Sequence, residues 1–242
     1  MAAATEALGR AEELAAFATS VAGCTRCPLA AGRTQVVFGS GDPAADLMFV
    51  GEAPGRSEDE QGLPFVGQAG RLLSELLGDI GLERGDVFIA NVLKCRPPGN
   101  RDPRPQEIES CRDYLHRQVD LIEPAVICTL GNFSTKLLRG DPTGISRLHG
   151  RPEVHALGHR AVRIYPIYHP AAALYTPSML ETLRADFARL PELLALGPPP
   201  QPEAVEELPE PEEVPEPEAL AAAPEPAAAE AEVSADQLGL FE

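Results

Sequence analysis

Two kinds of segment are missing from this chain of 242 residues. The first residues, Met1–Glu6, carry neither a basic stretch nor a long apolar run, so no signal peptide is predicted. No stretch approaches the ~18 consecutive apolar residues that a membrane helix needs. We therefore expect a cytoplasmic protein with no membrane partner, a setting in which disulfides are rare.

Basic residues are missing from the end of the chain, which changes the meaning of its overall charge. A net charge of −17 argues against a protein that binds DNA. However, residues 197–242 hold 13 of the 37 acidic residues and no Lys or Arg, which leaves a net charge of only −4 on residues 1–196. The end segment is rich in Pro, Ala and Glu and cannot bury enough apolar surface to fold. We predict a folded domain over residues 1–196 and a disordered acidic tail over 197–242.

Histidine is missing from the neighbourhood of two cysteine pairs. Cys24 and Cys27 are separated by two residues, and Cys95 and Cys111 by fifteen. All-cysteine sites hold a structural zinc or an iron–sulfur cluster. Zinc ribbons usually use two tight pairs, and the second pair is too wide for one, which favours a cluster; zinc and unligated thiols stay open as alternatives. The fifth cysteine, Cys128, lies in an apolar run and is predicted to be a buried strand thiol.

Short apolar runs alternate with amphipathic segments along the predicted domain. Four runs are predicted to be buried strands, at residues 46–51, 87–92, 125–130 and 162–168. Helices are predicted over residues 6–20, 69–80, 105–122, 132–139 and 178–194. This alternation indicates an α/β fold, a three-layer α/β/α arrangement with a central, mostly parallel four-stranded sheet. Ligands of such sheets bind at the carboxyl ends of the strands.

Polar side chains stand where three of the predicted strands end. They occur in Gly51-Glu52-Ala53-Pro54-Gly55 after the first strand, at Asn91 in the second, and in His169-Pro170-Ala171-Ala172-Ala173-Leu174-Tyr175 after the fourth. Phe65 follows Glu52 by thirteen residues. Taken with the four cysteines, the order and spacing of these motifs resemble the family 4 uracil-DNA glycosylases, which carry a 4Fe–4S cluster. The resemblance covers about residues 20–195.

The resemblance implies a monofunctional DNA glycosylase of base excision repair. Such an enzyme hydrolyses the N-glycosidic bond of deoxyuridine in single- or double-stranded DNA, releases uracil and leaves an abasic site. The resemblance also implies a 4Fe–4S cluster that is held by Cys24, Cys27, Cys95 and Cys111. It further implies that the protein is associated with the nucleoid. A noncatalytic iron–sulfur module that binds uracil-containing DNA is the alternative.

The site residues that the resemblance implies fit the chemistry of uracil excision. The base must leave the stack and enter a pocket. Phe65 supplies a flat stacking face, and Asn91 can donate to uracil O4 and accept from N3–H. His169 can donate to O2, where negative charge develops as the bond breaks. The backbone of Glu52–Pro54 is expected to border the base or the attacking water.

One position departs from the pattern of the superfamily. Some relatives place an Asp directly before the motif proline to polarise water, and Ala53 occupies that position here. Glu52 is the nearest carboxylate, so it is the candidate for orienting water, with shaping of the pocket near uracil C5 as its alternative role.

Leu174 and Tyr175 lie just after His169. We expect them to act as an apolar wedge that fills the gap left by the flipped nucleotide. Packing of Leu174 in the core is the alternative.

Residues 237–241, which precede the last residue of the sequence, are Gln237-Leu238-Gly239-Leu240-Phe241. This segment resembles the bacterial sliding-clamp-binding pentapeptide. Leu240 and Phe241 on a flexible tether can enter a groove of a partner, and tethering raises the local concentration of the enzyme. We therefore predict a sliding clamp as a partner of an otherwise monomeric protein, with a chance apolar ending as the alternative.

Overall fold

The central sheet of the computed structural model has six strands. The structure describes residues 2–202. The strands are β1 (Ser40–Gly41), β2 (Leu47–Gly51), β3 (Phe88–Asn91), β4 (Val126–Leu130), β5 (Glu153–Leu157) and β6 (Arg160–Ile167). Their order is β1-β3-β2-β4-β6-β5. The four central strands are parallel and correspond to the four predicted strands, while β1 and β5 pair antiparallel at the two edges.

The two edge strands are additions to the predicted sheet. In β5, half-buried and exposed residues alternate up to the buried Leu157, and Gly158 opens the turn to β6 with φ +61°. A strand with one solvated face lacks the continuous apolar run of a central parallel strand. β1 has only two residues. Neither strand therefore carries the apolar signal on which the prediction of four strands depended.

Nine helices surround this sheet in the part of the chain described. They are α1 (Ala2–Ala22), α2 (Arg56–Gln61), α3 (Gln68–Asp79), α4 (Pro105–Ile122), α5 (Asn132–Arg139), α6 (Ile145–Leu148), α7 (Pro170–Tyr175), α8 (Ser178–Phe187) and α9 (Leu190–Ala195), with 3₁₀ turns at Pro28–Ala31 and Pro98–Asn100. The single helix predicted over residues 178–194 was wrong, because it is divided into α8 and α9. Pro191 has no N–H with which to continue the first helix, and it is accommodated instead in the first turn of the second.

Two apolar cores lie on opposite faces of the sheet, which confirms the three-layer α/β/α class. Met48 and Val50 of β2 face a core shared with α1, α4 and α5. Leu47 and Phe49 of the same strand face the other core, shared with α3, α8 and α9. Alternate residues of one strand thus feed both cores, and each fully buried side chain of this size contributes about 1.5–3 kcal/mol.

The folded region continues a few residues past Leu196. Arg163 Nη1 donates to the carbonyl of Gly197 at 3.0 Å, and the side-chain amide of Gln201 bonds both the N–H and the carbonyl of Ala161. The rest of the predicted acidic tail, including the pentapeptide at 237–241, lies outside the described residues. Within residues 2–202, no helix combines the length and apolar character that a membrane crossing requires.

The order of the strands creates a crevice at the carboxyl end of β2. From β2 the chain passes to β3 on one side and later to β4 on the other side. Open α/β sheets bind their ligands at such a reversal. Glu52 leaves β2 at this point, Asn91 ends the neighbouring β3, and His169 follows β6 on the other side of β4.

Candidate active site and cysteine set

Asn91 and Phe65 meet over Gly51. Gly51 is paired with Asn91 across the parallel strands β2 and β3. A Cβ atom on Gly51 would overlap Oδ1 of Asn91 and would lie 2.7 Å from Cζ of Phe65. Asn91 is 2% exposed and Phe65 is 7% exposed. Only the missing side chain of Gly51 lets the amide and the ring come together at this strand end.

Phe65 is held in an uncommon backbone conformation by contacts that converge on its loop. Its φ is +52°, a region that bulky residues rarely occupy. Arg84 donates to the carbonyls of Phe65 and Pro64 at 3.1 and 2.8 Å. The Glu58 carboxylate accepts from the N–H groups of Val66 and Gly67, at 3.0 and 3.1 Å. The ring of Phe65 is therefore fixed by polar groups on both sides of it in the chain.

His169 faces the same space as Phe65. The two rings are stacked with centroids 5.5 Å apart and planes inclined by 28°. Burial lowers the pKa of His169 to about 4, although the negative charge of Glu58 acts in the opposite direction. The imidazole is therefore neutral at physiological pH.

The hydrogen bonds of His169 select its tautomer. Nδ1 accepts from the N–H of Ala171 at 3.1 Å, so the proton of the neutral ring is assigned to Nε2. A Cβ on Gly131, in the turn after β4, would lie 3.1 Å from Cβ of His169. The close approach of this turn fixes the position of His169. Within residues 2–202, no acceptor is bonded to Nε2–H.

Glu52 borders a cavity of about 680 Å³ next to this group. Desolvation raises the pKa of Glu52, and the nearby charge of Asp102 raises it further. The carbonyls of Gly51 and Glu52 accept from the N–H groups of Val92 and Leu93, both at 3.0 Å. The turn after β2 is thereby tied to the turn after β3. The cavity also has the following residues in its wall: Ile108, Leu130, Gly131, Asn132, Phe133, Lys136, Leu137, Gly140, Asp141, Pro142 and His169.

The structure brings Glu52, Phe65, Asn91 and His169 together at one edge of the sheet. Pro54 is buried in the turn after β2, while Ala53 is half-buried and packs against the core of α1 and α4. Ala53 thus contacts the base pocket through its backbone at most. The side chains that hold the site, Arg84 and Glu58, were not predicted, because neither stands at a strand end.

Leu174 and Tyr175 form the last turn of α7, which begins directly after His169. Leu174 is 41% exposed and Tyr175 is 86% exposed. Packing of Leu174 in the core, the alternative interpretation, does not fit this exposure. Two large side chains presented to solvent beside the pocket are available to a macromolecular ligand.

Four of the five cysteines line one small cavity at the side of the sheet. Cys24 and Cys27 come from the loop after α1, Cys95 from the loop after β3, and Cys111 from α4. All the cysteines are free thiols. Cys128 is separate from this set and is fully buried in β4, as predicted.

Hydrogen-bond donors point at three of the four sulfurs. Tyr114 Oη donates to Sγ of Cys24 at 3.1 Å. The Lys94 N–H donates to Sγ of Cys111 at 3.3 Å, and Arg33 Nη1 lies 3.6 Å from Sγ of Cys95. Burial raises the pKa of Cys95 to about 11, and the positive charge of Arg33 opposes that rise. Burial alone thus favours the thiols, and the donors around the sulfurs would stabilise thiolates once a positive metal replaced their protons.

The arginines of the loop between Cys95 and Cys111 differ in how far their charges are neutralised by neighbouring side chains. Arg101 pairs with the buried carboxylate of Glu107, with N···O distances of 2.9 and 2.5 Å. This ion pair stabilises the first turn of α4. Arg96 bonds the side chain of Asn100 at 2.7 Å. The backbone N–H of Arg104 donates to the Glu107 carboxylate at 2.8 Å, while its guanidinium forms no ion pair among the described residues. Arg96 and Arg104 remain available to a phosphate, while Arg101 is largely neutralised.

Comparison with known proteins assigns this combination of fold and site to a family. The family model described as the Uracil DNA glycosylase superfamily matches residues 38–193. The chain therefore belongs to the uracil-DNA glycosylase superfamily.

The similar relatives narrow this assignment. The type-4 uracil-DNA glycosylase of Sulfurisphaera tokodaii is 48% identical over 178 residues, which cover 72% of this chain and 81% of the relative. That of Archaeoglobus fulgidus is 48% identical over 187 residues, 75% of this chain and 94% of the relative. That of Thermotoga maritima is 44% identical over 152 residues, 62% of this chain and 78% of the relative. Within the superfamily, the chain belongs to the type-4 family.

Proposed function

We propose that this protein is a monofunctional uracil-DNA glycosylase that begins base excision repair. It hydrolyses the bond between uracil and deoxyribose in DNA, releases free uracil and leaves an abasic site. The observation that carries the proposal is the meeting of Phe65, Asn91 and His169 at the carboxyl edge of the sheet, in a chain of the type-4 family. These side chains supply a stacking face, an amide and a neutral N–H donor, which is what a flipped uracil requires.

The amide of Asn91 is proposed to read the edge of the base. Its NH₂ donates to uracil O4 and its oxygen accepts from N3–H, whereas cytosine presents the opposite pattern. The ring of Phe65 covers one face of the base. Because Asn91 is buried, an unpaired donor or acceptor there would cost about 1–3 kcal/mol, which penalises the wrong base.

His169 is proposed to stabilise the departing base. As the glycosidic bond breaks, negative charge collects on uracil O2 and the Nε2–H of the neutral imidazole donates to it. The lowered pKa of His169 keeps the ring neutral, and the bond from the N–H of Ala171 to Nδ1 places its proton on Nε2. A donor that is already oriented needs no rearrangement in the transition state.

Glu52 is proposed to orient the water that attacks the sugar carbon. It lies in the turn after β2 and is half-buried in the cavity wall, where desolvation raises its pKa. A negative charge beside the sugar also favours the positive charge that develops there in the transition state. The adjoining cavity gives room for the sugar and its phosphates, with Lys136 in its wall.

The cysteine set is proposed to hold a 4Fe–4S cluster. The donor set fits such a group, because four free thiols line one cavity and cationic or N–H donors point at their sulfurs. Among residues 2–202, no three Cys, His, Asp or Glu side chains come close enough to hold a single ion. The four sulfurs can lie farther apart around a 4Fe–4S cluster than around a single zinc ion, since each thiolate of a cluster binds a separate iron. When bound, the cluster would join the loop after α1 to the loop after β3.

Leu174 and Tyr175 are proposed to be the wedge that replaces the flipped nucleotide in a duplex. Their exposure at the end of α7, directly after His169, supports this role. Arg96 and Arg104 are proposed to meet backbone phosphates, which position the DNA without reading its sequence.

We further propose that the protein acts as a monomer on the DNA of the cytoplasm, at the nucleoid, and that residues 237–241 bind a sliding clamp. Support for the clamp comes from the sequence Gln237-Leu238-Gly239-Leu240-Phe241 alone, and support for the compartment from the free thiols.

The deciding experiment is release of free uracil from a labelled oligonucleotide under single-turnover conditions. The parent protein should release uracil and leave thymine and cytosine in place. Asn91→Asp should lose uracil excision, because a carboxylate cannot donate to O4. Binding of uracil-containing DNA without release would contradict the proposal and would indicate a noncatalytic binding module. A fully active Asn91→Asp variant would show that another group reads the base.

A further inference from the structure

Lys94 places an ammonium in the interior, and neither of the ammonium's hydrogen bonds reaches a sulfur of the cysteine set or another charged group. Its side chain is 1% exposed. The ammonium donates to the backbone carbonyl of Asn91 at 2.9 Å and to Oε1 of Gln118 at 2.5 Å. Both acceptors are neutral, and Lys94 forms no ion pair within residues 2–202. A buried ammonium without a carboxylate is costly and is usually replaced by an apolar residue unless it has a specific task.

The hydrogen bond from the Lys94 ammonium to the carbonyl of Asn91 indicates what the buried charge does. Asn91 is the last residue of β3, and its side chain is the amide that meets Phe65 over Gly51. A bond from Nζ of Lys94 to the carbonyl of this residue fixes the peptide from which that side chain projects. Bonds from a charged donor are stronger than neutral ones, so the peptide is held firmly.

Gln118 fixes the ammonium in turn. Its Nε2 donates to the carbonyl of Phe38 at 2.9 Å, which directs Oε1 towards Lys94. Gln118 is fully buried in α4. The path from Phe38 through Gln118 and Lys94 to Asn91 therefore consists of side-chain hydrogen bonds without exposed members between its ends.

The backbone of Lys94 belongs to the cysteine set at the same time. Its N–H donates to Sγ of Cys111 at 3.3 Å, and Cys95 is the next residue in the chain. The short segment from Asn91 to Lys94 thus leads from the amide of the base pocket to two proposed cluster ligands. Cys95 follows Lys94 in the chain, and Cys111 accepts the hydrogen bond of its N–H. The side chain of Lys94 points back along this segment, towards Asn91.

We propose that Lys94 is a positioning residue for base recognition, whose ammonium, oriented by Gln118, holds the Asn91 peptide so that the Asn91 amide is presented to uracil. This inference rests on the proposed role of Asn91 in reading the base. It adds two residues to the pocket that touch neither the base nor the DNA.

The test compares Lys94→Met with a control variant in the full-length, cluster-containing protein. Methionine keeps the length of the side chain and removes the donor. Single-turnover excision of uracil from single-stranded DNA should fall roughly 10²-fold, the scale expected when a pocket group is misplaced by about 1 Å. The visible absorbance of the cluster should be unchanged. Leu121→Ala is the control, since it creates a cavity beside α4, the helix that carries Gln118, without removing a polar group. It should lower stability and leave the rate within about threefold.

A double-mutant cycle shows whether Lys94 acts through Asn91. In an Asn91→Ala background, the added Lys94→Met change should alter the rate by less than about threefold, because the group that Lys94 positions is already gone. Losses that multiply in the double variant would overturn the proposal. If Lys94→Met does not fold, Lys94→Gln serves in the same cycle. It retains a neutral donor and should lose about tenfold in the Asn91 background and nothing in the Asn91→Ala background.

Hydrogen–deuterium exchange separates this inference from the proposed function. Lys94→Met should speed exchange in the peptide covering residues 88–95, and Leu121→Ala should not. Unchanged exchange there would overturn the anchoring role even if the protein excises uracil. Faster exchange in Lys94→Met, together with a parent protein that releases no uracil, would retain the anchor and reject the proposed function.

Discussion

The base pocket and the cysteine set are built in opposite ways. Asn91 and His169 of the pocket belong to, or directly follow, strands of one parallel sheet, so the ladder sets their spacing before any ligand arrives. The cysteines come from two loops and a helix, and the 70 residues between Cys24 and Cys95 include half of the sheet. The pocket is therefore preorganised by the sheet, whereas the proposed cluster would join segments that lie far apart in the chain.

The charges around the two regions also differ. The carboxylates Glu52, Glu58 and Asp102 lie near the pocket, together with the cation Lys136 in the wall of the adjoining cavity, and the carboxylates suit a sugar that becomes positive in the transition state. Arg33 and Lys94 lie beside the sulfurs and suit thiolates or an anionic cluster. Pocket substitutions should thus change rate with little effect on stability, and cysteine substitutions should do the reverse.

His169→Ala should give the largest change in rate. Single-turnover excision should fall roughly 10²–10³-fold, the usual cost of losing one donor to a developing oxyanion. The dissociation constant for uracil DNA should change far less, since the bond strengthens only as charge develops. The thermal midpoint should stay near that of the parent. An unchanged rate constant would remove His169 from the site.

Cys111→Ala should give the largest change in stability. Loss of a ligand weakens the proposed cluster, so the free energy of unfolding should fall by about 4 kcal/mol or more and the iron content should drop. Below its unfolding temperature the variant should excise uracil within about tenfold of the parent. Metal analysis after anaerobic purification is the check, and stoichiometric zinc without iron in the parent would rule out the cluster.

Leu174→Ala should distinguish duplex from single-stranded substrates. Excision from U·A pairs should fall roughly tenfold, because a wedge of this size replaces about 1.5–3 kcal/mol of lost stacking. Excision from single strands should be almost unchanged, since no duplex has to open. Equal losses of excision rate on both substrates would contradict the assignment of Leu174 as a wedge.

The pH profile of excision should be flat through neutrality. The active imidazole of His169 is neutral, and its pKa is lowered to about 4, so protonation should inhibit only as the pH falls through that value. An unfolded histidine takes up its proton near pH 6.5. Stability from this group is therefore complete above about pH 6.5 and is lost progressively towards pH 4.

The carboxyl of Glu52, with its raised pKa, would add an acid limb of its own. The profile is therefore measured in Glu52→Gln as well. An inhibitory midpoint near 6.5 in that variant would contradict the buried, neutral histidine.

Removal of residues 236–242 should have the smallest effect on catalysis. Excision from short oligonucleotides should stay the same, because every pocket residue precedes residue 196. Binding to the sliding clamp should be lost, and Leu240 and Phe241 replaced together by Ala should reproduce that loss, since a few apolar anchors dominate such interfaces. Equal clamp binding by the parent and the double variant in a calorimetric titration would make the motif a coincidence.

The positions of the pocket residues could be predicted because parallel strands end at a shared edge. Glu52, Asn91 and His169 each stand at such an end, and the apolar runs before them are unambiguous. The edge strands β1 and β5 lacked that signal. The division between α8 and α9 depended on one proline within an otherwise helical pattern.

The residues that hold the pocket could not be predicted in the same way. Arg84 reaches the Phe65 loop across nineteen residues of chain, and Gln118 meets Lys94 across twenty-four. Nothing in the local sequence distinguishes either from a surface arginine or glutamine. Their roles follow from packing between segments that are distant in the chain.

By itself, the sequence determined the class of fold and the polar residues at the sheet edge, because these depend on local periodicity and on the geometry of parallel strands. The four cysteines were grouped from their spacing and from the family resemblance. Only the tertiary structure decided the state of those residues. The neutral Nε2–H tautomer of His169 arises from burial and from the N–H of Ala171. The tethering of Asn91 arises from an ammonium that is buried in the folded chain and oriented by Gln118. Dielectric surroundings and hydrogen-bond partners are properties of the folded chain, so no reading of residues in order could supply them.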